Sequence, residues 1–349
     1  MKRFLSLLLT LMLVVSLTAC ANKPSSSSGT NTTPSASPST PSSNAPAEKY
    51  VMRIAHAMST DHAYHIWATK FAEELKKLVG DSVEVQIFPN GQLGSETESL
   101  QSVQMGMLDS VICGRHSQID PRMDVLNLPF IFKDAEHIQK VIGNGTDLEK
   151  LFEQIFLDKG YVCLGLYDTG FRLITSNKPI KSVADLKGLD IRVPNTPALM
   201  AAFKAWGANP TPLDFGEVYT ALQQGVVKAQ ENPPELIYTS KFYEVQKYLN
   251  ITNHSTIPGE FLVGKKYWDT LPEDIQKAIR EAANKAKEYM QPLVLEKNKK
   301  FIDELQAKGM TVVTDIDRDS FVPAARESYK QFYNTIGEDL IQKVIDAGK

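Results

Sequence analysis

Strand-like and helix-like patterns alternate along the chain from Tyr50 onward, and this alternation restricts the fold more than any other feature. Residues 83–87 place valine or isoleucine at every second position, which is typical of a strand. Ser95 and Glu98 then have the spacing of a capping box that starts a helix. Another strand pattern covers residues 161–167. The sequence therefore predicts an α/β fold.

A second set of alternating patterns begins at Phe171. Its clearest helix has Thr196 as the predicted cap and Pro197 at the first helical position, and it is expected to stop at Gly207. The chain has 349 residues, which is enough for two cores of ordinary size. Two α/β sets in one chain therefore predict two lobes.

One long helical pattern follows both sets. It runs from Pro272 to Lys308 with only Pro292 inside it. At about 1.5 Å per residue such a helix would be about 55 Å long, which exceeds the width of a single lobe. We expect this helix to span both lobes and to bend at the proline.

The N-terminus carries a secretion signal. Lys2 and Arg3 precede an apolar run from Phe4 to Leu17, which is shorter than a membrane-spanning helix. The sequence Leu17-Thr18-Ala19-Cys20 resembles the bacterial lipobox, in which the cysteine is diacylated and becomes the mature N-terminus. We predict a lipoprotein signal peptide over residues 1–19, and the alternative is an ordinary secretory signal with an incidental cysteine.

Residues 20–47 are predicted to form a disordered linker after the acylated Cys20. Beyond the cysteine the segment is rich in Ser, Thr and Pro, and Lys23 is its only charge before Glu48. Such a composition cannot bury enough apolar surface to fold. No other long apolar segment follows, so the rest of the chain is expected to be extracytoplasmic and held at the membrane by its lipid.

Composition and motifs argue against several classes of function. The net charge of -3 and the lack of long basic runs give no support for nucleic-acid binding. The signatures Gly-x-Ser-x-Gly, Gly-x-x-x-x-Gly-Lys and His-Glu-x-x-His are absent from the sequence. Paired catalytic carboxylates or an activated nucleophile cannot be placed either. We therefore predict that the protein is not an enzyme and uses no cofactor.

Three histidines near the start of the folded part were considered as metal ligands. His62 and His65 have a spacing that places them on one helical face, but only Asp61 accompanies them as a further donor. The favoured interpretation is an exposed helix start for His62 and His65, and a cleft-lining strand end for His56. No metal site is predicted.

Two arginines flanked by apolar strand residues are the strongest candidates for ligand binding. Arg172 and Arg192 lie at the predicted ends of short strands. A buried guanidinium stays charged, and its planar fork fits a carboxylate with two parallel hydrogen bonds. Chemistry alone slightly favours pairing of each arginine with an internal Asp or Glu over pairing with a ligand. Cys113 and Cys163 lie in apolar runs and are expected to be free buried thiols, with a disulfide as the alternative.

Many short motifs in one order resemble the solute-binding subunit of tripartite ATP-independent periplasmic (TRAP) transporters. The motifs that carry the resemblance are Phe88-Pro89-Asn90-Gly91-Gln92-Leu93-Gly94, Leu128-Pro129-Phe130, Lys178-Pro179-Ile180, Asp185-Leu186-Lys187-Gly188, Arg192-Val193-Pro194, Pro210-Thr211-Pro212, Glu217-Val218-Tyr219, Ala221-Leu222-Gln223, Gln230-Glu231-Asn232-Pro233 and Phe242-Tyr243-Glu244-Val245-Gln246-Lys247-Tyr248. The chain departs from the family pattern at Lys228 and Ala229, where the family commonly has Asp-Gly.

The resemblance implies roles for individual residues. In the family, the arginine of the Arg-Val-Pro motif clamps the ligand carboxylate, which corresponds to Arg192. Positional matches to the family assign further ligand contacts, and other residues are expected from the sequence to face the cleft. The predicted site comprises Arg192, Arg172, Asn232, Asn195, Phe215, Glu96 and His56. Glu96 has an alternative role as an acid favoured by the helix dipole.

The resemblance also implies a two-lobed periplasmic-binding-protein fold of the type II kind. Mapped here, the first lobe comprises residues 48–169 and 258–297, and the second comprises 170–257 and 298–349. The expected function is capture of a small carboxylate between the lobes for a small and a large membrane permease subunit, by a monomer. A sugar acid, such as a uronate or aldonate, is preferred because several polar side chains are available for its hydroxyls. A C4-dicarboxylate or keto acid, or a sensor without a permease, are the alternatives.

Overall fold

The computed structural model describes residues 49–349. The predicted signal peptide, the acylation site at Cys20 and the predicted linker therefore lie outside the described residues. Residues 49–349 belong to one compact unit. None of the helices in the described part is long and apolar enough to cross a membrane.

The first sheet has five strands in the order β2-β1-β3-β10-β4. In chain order they are β1 (Tyr50–Ala55), β2 (Val83–Phe88), β3 (Ser110–Cys113), β4 (Tyr161–Tyr167) and β10 (Gly259–Gly264). Strand β1 is parallel to both β2 and β3, whereas β10 is antiparallel to both β3 and β4. Strand β10 is the segment in which the chain returns to this sheet.

The second sheet has six strands in the order β11-β9-β5-β8-β6-β7. They are β5 (Leu173–Ser176), β6 (Asp190–Val193), β7 (Asn209–Pro212), β8 (Ala229–Asn232), β9 (Tyr248–Asn250) and β11 (Thr311–Val313). Strand β6 is parallel to β7 and β8, while β5 is antiparallel to β8 and β9. The chain enters this sheet through β5, so each crossover strand is antiparallel within its own sheet.

Twelve α-helices in residues 49–349 connect and cover the sheets. They are α1 (Ala63–Val79), α2 (Glu96–Met105), α3 (His116–Ile119), α4 (Ala135–Ile142), α5 (Asp147–Asp158), α6 (Pro197–Ala205), α7 (Val218–Gln223), α8 (Pro234–Thr239), α9 (Lys265–Trp268), α10 (Glu273–Ala307), α11 (Val322–Ser328) and α12 (Glu338–Asp346). The predicted capping box at Ser95 and Glu98 is present at the start of α2. Thr196 and Pro197 likewise begin α6.

Helix α10 is the predicted long helix. It contains 35 residues, with Pro272 as its N-cap, Lys308 as its C-cap and Pro292 inside it. Its N-terminal half buries side chains such as Ile279 against the first sheet. Near its C-terminus, Leu305 packs with residues of the second sheet. The prediction that one helix spans both halves of the fold is therefore confirmed.

Buried apolar side chains form a cluster on each face of each sheet. On the first sheet, Val111 belongs to one cluster and its neighbour Ile112 to the other. On the second sheet, Ile174 belongs to one cluster and its neighbour Leu173 belongs to the other. This alternation along the strands means that helices cover both faces of both sheets. The two-sheet α/β fold agrees with the predicted fold class.

All strands of the first sheet lie within residues predicted for the first lobe, and all strands of the second sheet lie within those predicted for the second. Part of the C-terminal segment predicted for the second lobe packs beside the first sheet. Ile341 and Val344 of α12 pack in the same cluster as Val111 of the first sheet. The lobe boundaries otherwise remain a prediction. Cys113 and Cys163 are buried free thiols.

Candidate ligand-binding site

A pocket collects side chains from both sheets and from the helices that follow their strands. It contains about 520 Å³ that is not filled by protein atoms, including the part open to solvent. The residues that line it are Met58, His62, Tyr64, Glu96, Gly114, Arg115, Thr169, Arg172, Arg192, Pro194, Phe215, Asn232, Pro233, Glu235, Leu236 and Ile257.

Strand ends place several of these residues together. Arg192 is the third residue of β6, and Asn232 is the last residue of the parallel strand β8. Arg115 lies just beyond the end of β3 in the other sheet. Ligands of open α/β sheets bind beyond the carboxyl ends of the strands, and the pocket occupies this position in both sheets.

Arg192 is buried without an internal carboxylate partner. Only 1% of the residue is exposed. Its Nε and Nη2 donate hydrogen bonds to the backbone oxygen of Leu213, at 3.0 and 2.6 Å. Within residues 49–349, no Asp or Glu forms a salt bridge with it. Burial lowers the pKa of the guanidinium to about 9, and the nearby charges of Arg115 and Arg172 act in the same direction against that of Glu231. Arg192 thus stays charged at neutral pH.

Arg172 also lines the pocket, but it is paired internally. Its Nε forms a hydrogen bond with the Glu231 carboxylate, and its Nη2 donates to Glu231 Oε1 at 2.8 Å and to Asn232 Oδ1 at 3.0 Å. Burial alone would raise the pKa of Glu231, but the charge of Arg172 and hydrogen bonds from His254 and Arg172 lower it. The charge of the Arg172 guanidinium is therefore largely neutralised by a buried carboxylate. Pairing with an internal Asp or Glu was the alternative to ligand binding that the sequence left open.

Glu96 lines the pocket, as expected, and is paired with a cation that sequence reasoning missed. Arg115 Nε lies 2.9 Å from Glu96 Oε2, and both side chains are buried. Burial raises the pKa of Glu96 against the opposing charge of Arg115. Arg115 Nη2 also lies 4.0 Å from the half-exposed Asp214, which follows the second sheet's β7. The pair therefore contributes polar groups with little net charge.

Glu235 is a second buried carboxylate in the pocket, and one of its oxygens has no hydrogen-bond partner within residues 49–349. It is the second residue of α8, and its Oε1 forms no hydrogen bond within the described residues. The nearest cationic atom is Lys297 Nζ, at 3.9 Å from Oε1. His62 Nε2 lies 3.6 Å from Oε2, and burial lowers the pKa of His62 to about 3, so this ring is neutral at physiological pH.

Some of the predicted site residues lie elsewhere. Asn195 is exposed and does not line the pocket, because it follows β6 beyond the pocket-lining Pro194. His56 is buried, but it is hydrogen-bonded to His65 at 3.2 Å and is not a lining residue. His62, predicted to lie on an exposed helix start, is the histidine that reaches the pocket. Phe215 does line the pocket, with its ring centroid 6.1 Å from that of Phe242.

Arg115, Tyr64 and Glu235 are pocket residues that sequence reasoning missed. Arg115 lies just after a strand, and Arg192 lies near the end of one. Arg115 could therefore have been found by the same search for arginines at strand ends that selected Arg192. Tyr64 lies in the first turn of α1 and is buried. Among the described residues, no group of three or more His, Cys, Asp or Glu is arranged to hold a metal ion. The pocket has the composition of a site for a polar anion rather than for a cation.

Comparisons with known proteins agree with this composition. Residues 54–336 match the family model DctP, described as bacterial extracellular solute-binding protein, family 7. The chain is 34% identical over 287 residues to the 2,3-diketo-L-gulonate-binding periplasmic protein YiaO of Escherichia coli (strain K12), covering 81% of this chain and 86% of that protein.

Two solved structures show the same fold. A TRAP periplasmic solute-binding protein from Polaromonas, bound to D-erythronate, superposes with a TM-score of 0.82 at 33% identity, covering 85% of this chain and 98% of that one. Another, from Sulfurospirillum deleyianum with bound succinate, gives a TM-score of 0.81 at 32% identity, covering 86% of this chain and 100% of that one.

Proposed function

This protein belongs to the DctP family of TRAP solute-binding proteins, and we propose that its ligand is a sugar acid, such as an aldonate or a uronate. The carrying observation is Arg192, a buried and charged guanidinium in the pocket with no internal carboxylate among residues 49–349. Leaving such a charge without an anion is costly, and a ligand carboxylate would supply one with fork geometry. Family membership and this unpaired charge together support an acidic ligand.

The other polar groups in the pocket support hydroxyls on that acid. Asn232 and Tyr64 contribute side chains that can both donate and accept hydrogen bonds, and the carboxylates of Glu96 and Glu235 add acceptors. Relatives that bind 2,3-diketo-L-gulonate and D-erythronate support the same class. The runner-up is a C4-dicarboxylate, because one structural relative holds succinate. Pairing of Arg172 and Arg115 with internal carboxylates weighs against this alternative, since it leaves a second ligand carboxylate without a free cation.

Titration calorimetry on purified residues 49–349 tests the proposal. One panel contains aldonates and uronates, including D-erythronate, L-galactonate and D-galacturonate, and the other contains succinate, malate and a keto acid. We expect the tightest ligand to come from the first panel. Tighter binding of succinate or malate than of every sugar acid would reject the preference. Recovery of each ligand unchanged after incubation would agree with a binding protein that carries out no reaction, whereas any turnover would contradict this.

The proposed binding order follows from the side chains. The carboxylate docks on Arg192, with Asn232 and the remaining Arg172 donor beside it and Phe215 as an apolar wall. The first-sheet side then closes over the ligand, so that Glu96 and Arg115 contact the ligand and water is expelled. Loss of water strengthens the ion pair between Arg192 and the ligand carboxylate. The liganded form is the one that a pair of membrane permease subunits would recognise. Asn195 and His56 are left out of this scheme because neither lines the pocket.

The location proposed for the protein is the outer face of the cytoplasmic membrane, with acylation at Cys20. Its support is the sequence Leu17-Thr18-Ala19-Cys20 after a basic and apolar leader. Metabolic labelling with a fatty acid provides the test. Wild-type protein should incorporate the label and fractionate with membranes, whereas Cys20→Ala should not incorporate the label. Equal labelling of the variant would reject acylation at Cys20.

A further inference from the structure

Glu235 is an ionisable group in the pocket that the carboxylate-binding scheme does not use. Only 3% of the residue is exposed, and its Oε1 has no hydrogen-bond partner within the described residues. It differs from Glu96, which lies 2.9 Å from Arg115, and from Glu231, which is bonded to Arg172. Buried polar atoms normally have hydrogen-bond partners, so an unsatisfied carboxylate oxygen beside a pocket calls for an explanation.

Nearby protein groups do not supply the missing partner. Lys297 Nζ is 3.9 Å from Oε1, which is beyond hydrogen-bond distance, and the neutral ring of His62 is 3.6 Å from Oε2. Burial raises the pKa of Glu235 to about 7, against the opposing effects of Lys297 and the Ala63 backbone amide. The carboxyl group is therefore poorly solvated in the pocket without ligand, and a donor from the ligand would relieve this.

We infer that Glu235 determines specificity by accepting a hydrogen bond from a ligand hydroxyl and by repelling a second ligand carboxylate. This inference rests on the proposed function, since it concerns the same pocket and a ligand whose first carboxylate is held by Arg192. A hydroxyl donates one hydrogen bond to a carboxylate, whereas a carboxylate has no proton to donate at neutral pH. Two like charges in a desolvated site also disfavour each other.

The charges of the other pocket residues favour a hydroxyl over the alternatives. Of the three pocket arginines, Arg115 and Arg172 are already paired with carboxylates, so Arg192 is the only unpaired arginine in the part of the pocket that the structure describes. A ligand with one carboxylate matches this single unpaired arginine. A ligand ammonium at Glu235 would face Lys297 as well as the carboxylate, which weakens its attraction. A neutral donor fits both neighbours.

Pairs of acids that differ only at their far end test the inference. Oxidation of the terminal hydroxymethyl group converts D-erythronate into meso-tartrate and L-galactonate into galactarate, so each pair keeps its other hydroxyls. Calorimetry at pH 8, where Glu235 is mainly ionised, should give at least about tenfold tighter binding of the aldonate in the pair that binds wild-type protein better. A third pair, 4-hydroxybutyrate and 4-aminobutyrate, compares a hydroxyl with an ammonium.

The variant Glu235→Gln removes the negative charge while keeping the side-chain size. We expect its preference for the aldonate over the aldarate to fall at least about tenfold, mainly because the aldarate binds better. Glu327→Gln is the matched control, because Glu327 is exposed and forms a salt bridge with Lys330 outside the pocket. The control should keep the wild-type preference. Thermal unfolding of each variant verifies that it is folded.

The outcomes separate this inference from the proposed function. If wild-type protein binds the aldarate as tightly as the aldonate, or if Glu235→Gln keeps the wild-type preference, the role of Glu235 is rejected while carboxylate binding stands. Tighter binding of 4-aminobutyrate than of 4-hydroxybutyrate would also overturn the assignment of a hydroxyl. If no acid in any panel binds, both proposals fail. The wild-type comparison needs no variant, so the test holds even if Glu235→Gln does not fold.

Discussion

Arg172 and Arg192 are the same residue type in the same pocket, yet their surroundings differ. Both are buried and both belong to the second-sheet side of the pocket. Arg172 has the buried carboxylate of Glu231 as its partner, whereas among residues 49–349 Arg192 bonds to the backbone oxygen of Leu213 alone. Burial of an arginine beside a pocket is therefore insufficient evidence for a ligand contact. The complete set of its partners distinguishes a structural arginine from one that awaits an anion.

The pairing of the strands explains the difference. Strand β5 is antiparallel to β8, and this register places Leu173 opposite Asn232, so the preceding Arg172 reaches Glu231 and Asn232 at the end of β8. Arg192 lies opposite Gln230 of β8 and Thr211 of β7, neither of which is ionisable. One arginine thus receives a carboxylate from its neighbouring strand, and the other does not. Stability and binding should respond differently to changes at the two positions.

The largest expected effect is on stability, at the paired arginine. Glu231→Gln leaves Arg172 buried without its counter-ion, so the free energy of unfolding should fall by about 3–5 kcal/mol. Arg192→Met removes a buried charge that lacks a carboxylate partner, so it should not lower this free energy. Urea unfolding followed by tryptophan fluorescence provides both values. Equal losses in the two variants would break the distinction between the arginines.

The next effect concerns binding at the unpaired arginine. Arg192→Lys keeps the positive charge but cannot form the fork, and loss of a desolvated charge pair typically costs about 2–5 kcal/mol. We expect affinity for the tightest acid of the sugar-acid panel to fall at least about a hundredfold by calorimetry. Arg318→Lys, at an exposed position, serves as the control and should bind normally. A change of less than threefold in Arg192→Lys would remove Arg192 from the site.

Much of the fold could be predicted from the sequence because it depends on local periodicity and caps. Helix α10, the capping box of α2 and the cap and proline of α6 all follow from patterns within a few residues. Strands β7 and β8 were missed for identifiable reasons. Strand β7 contains Pro210 and Pro212, which its edge position tolerates. Strand β8 reads Ala-Gln-Glu-Asn, and its polar side chains are buried through partners that are distant in sequence.

The pocket was less predictable because partners across the sheets decide it. Arg192, Arg172, Asn232, Phe215 and Glu96 were selected from sequence and all line the pocket. That Arg172 is neutralised depends on a contact 59 residues along the chain, which no local pattern reveals. Glu235 presents the same difficulty in reverse, because a glutamate at a helix start usually only complements the helix dipole. Only the structure shows that Glu235 Oε1 lacks a hydrogen bond and that Lys297 and His62 lie too far away to supply one within the described residues.

Glu231 and Glu235 repeat the contrast between the arginines with the charges reversed. Both are buried, but the pKa of Glu231 is lowered, since the cations around it outweigh the effect of burial, whereas burial raises that of Glu235 to about 7 from an ordinary 4.5. A lowered carboxyl pKa adds stability above the unfolded-state pKa, and this stability is lost on acidification. A raised pKa does the opposite, because the unfolded chain ionises first as pH increases between about 4.5 and 7.

The smallest effect follows from this sign. Between pH 5 and pH 8, the stability of Glu235→Gln relative to wild-type protein should increase by about 2–3 kcal/mol, since only the wild type bears the cost of ionising the buried carboxyl. The titratable groups facing Glu235 are His62, Lys297 and Tyr167, and all three are shared by both proteins. Urea unfolding at several pH values measures the difference, with Glu327→Gln as the flat control. A constant difference for Glu235→Gln would mean that its carboxyl is well solvated, and the contrast with Glu231 would then disappear.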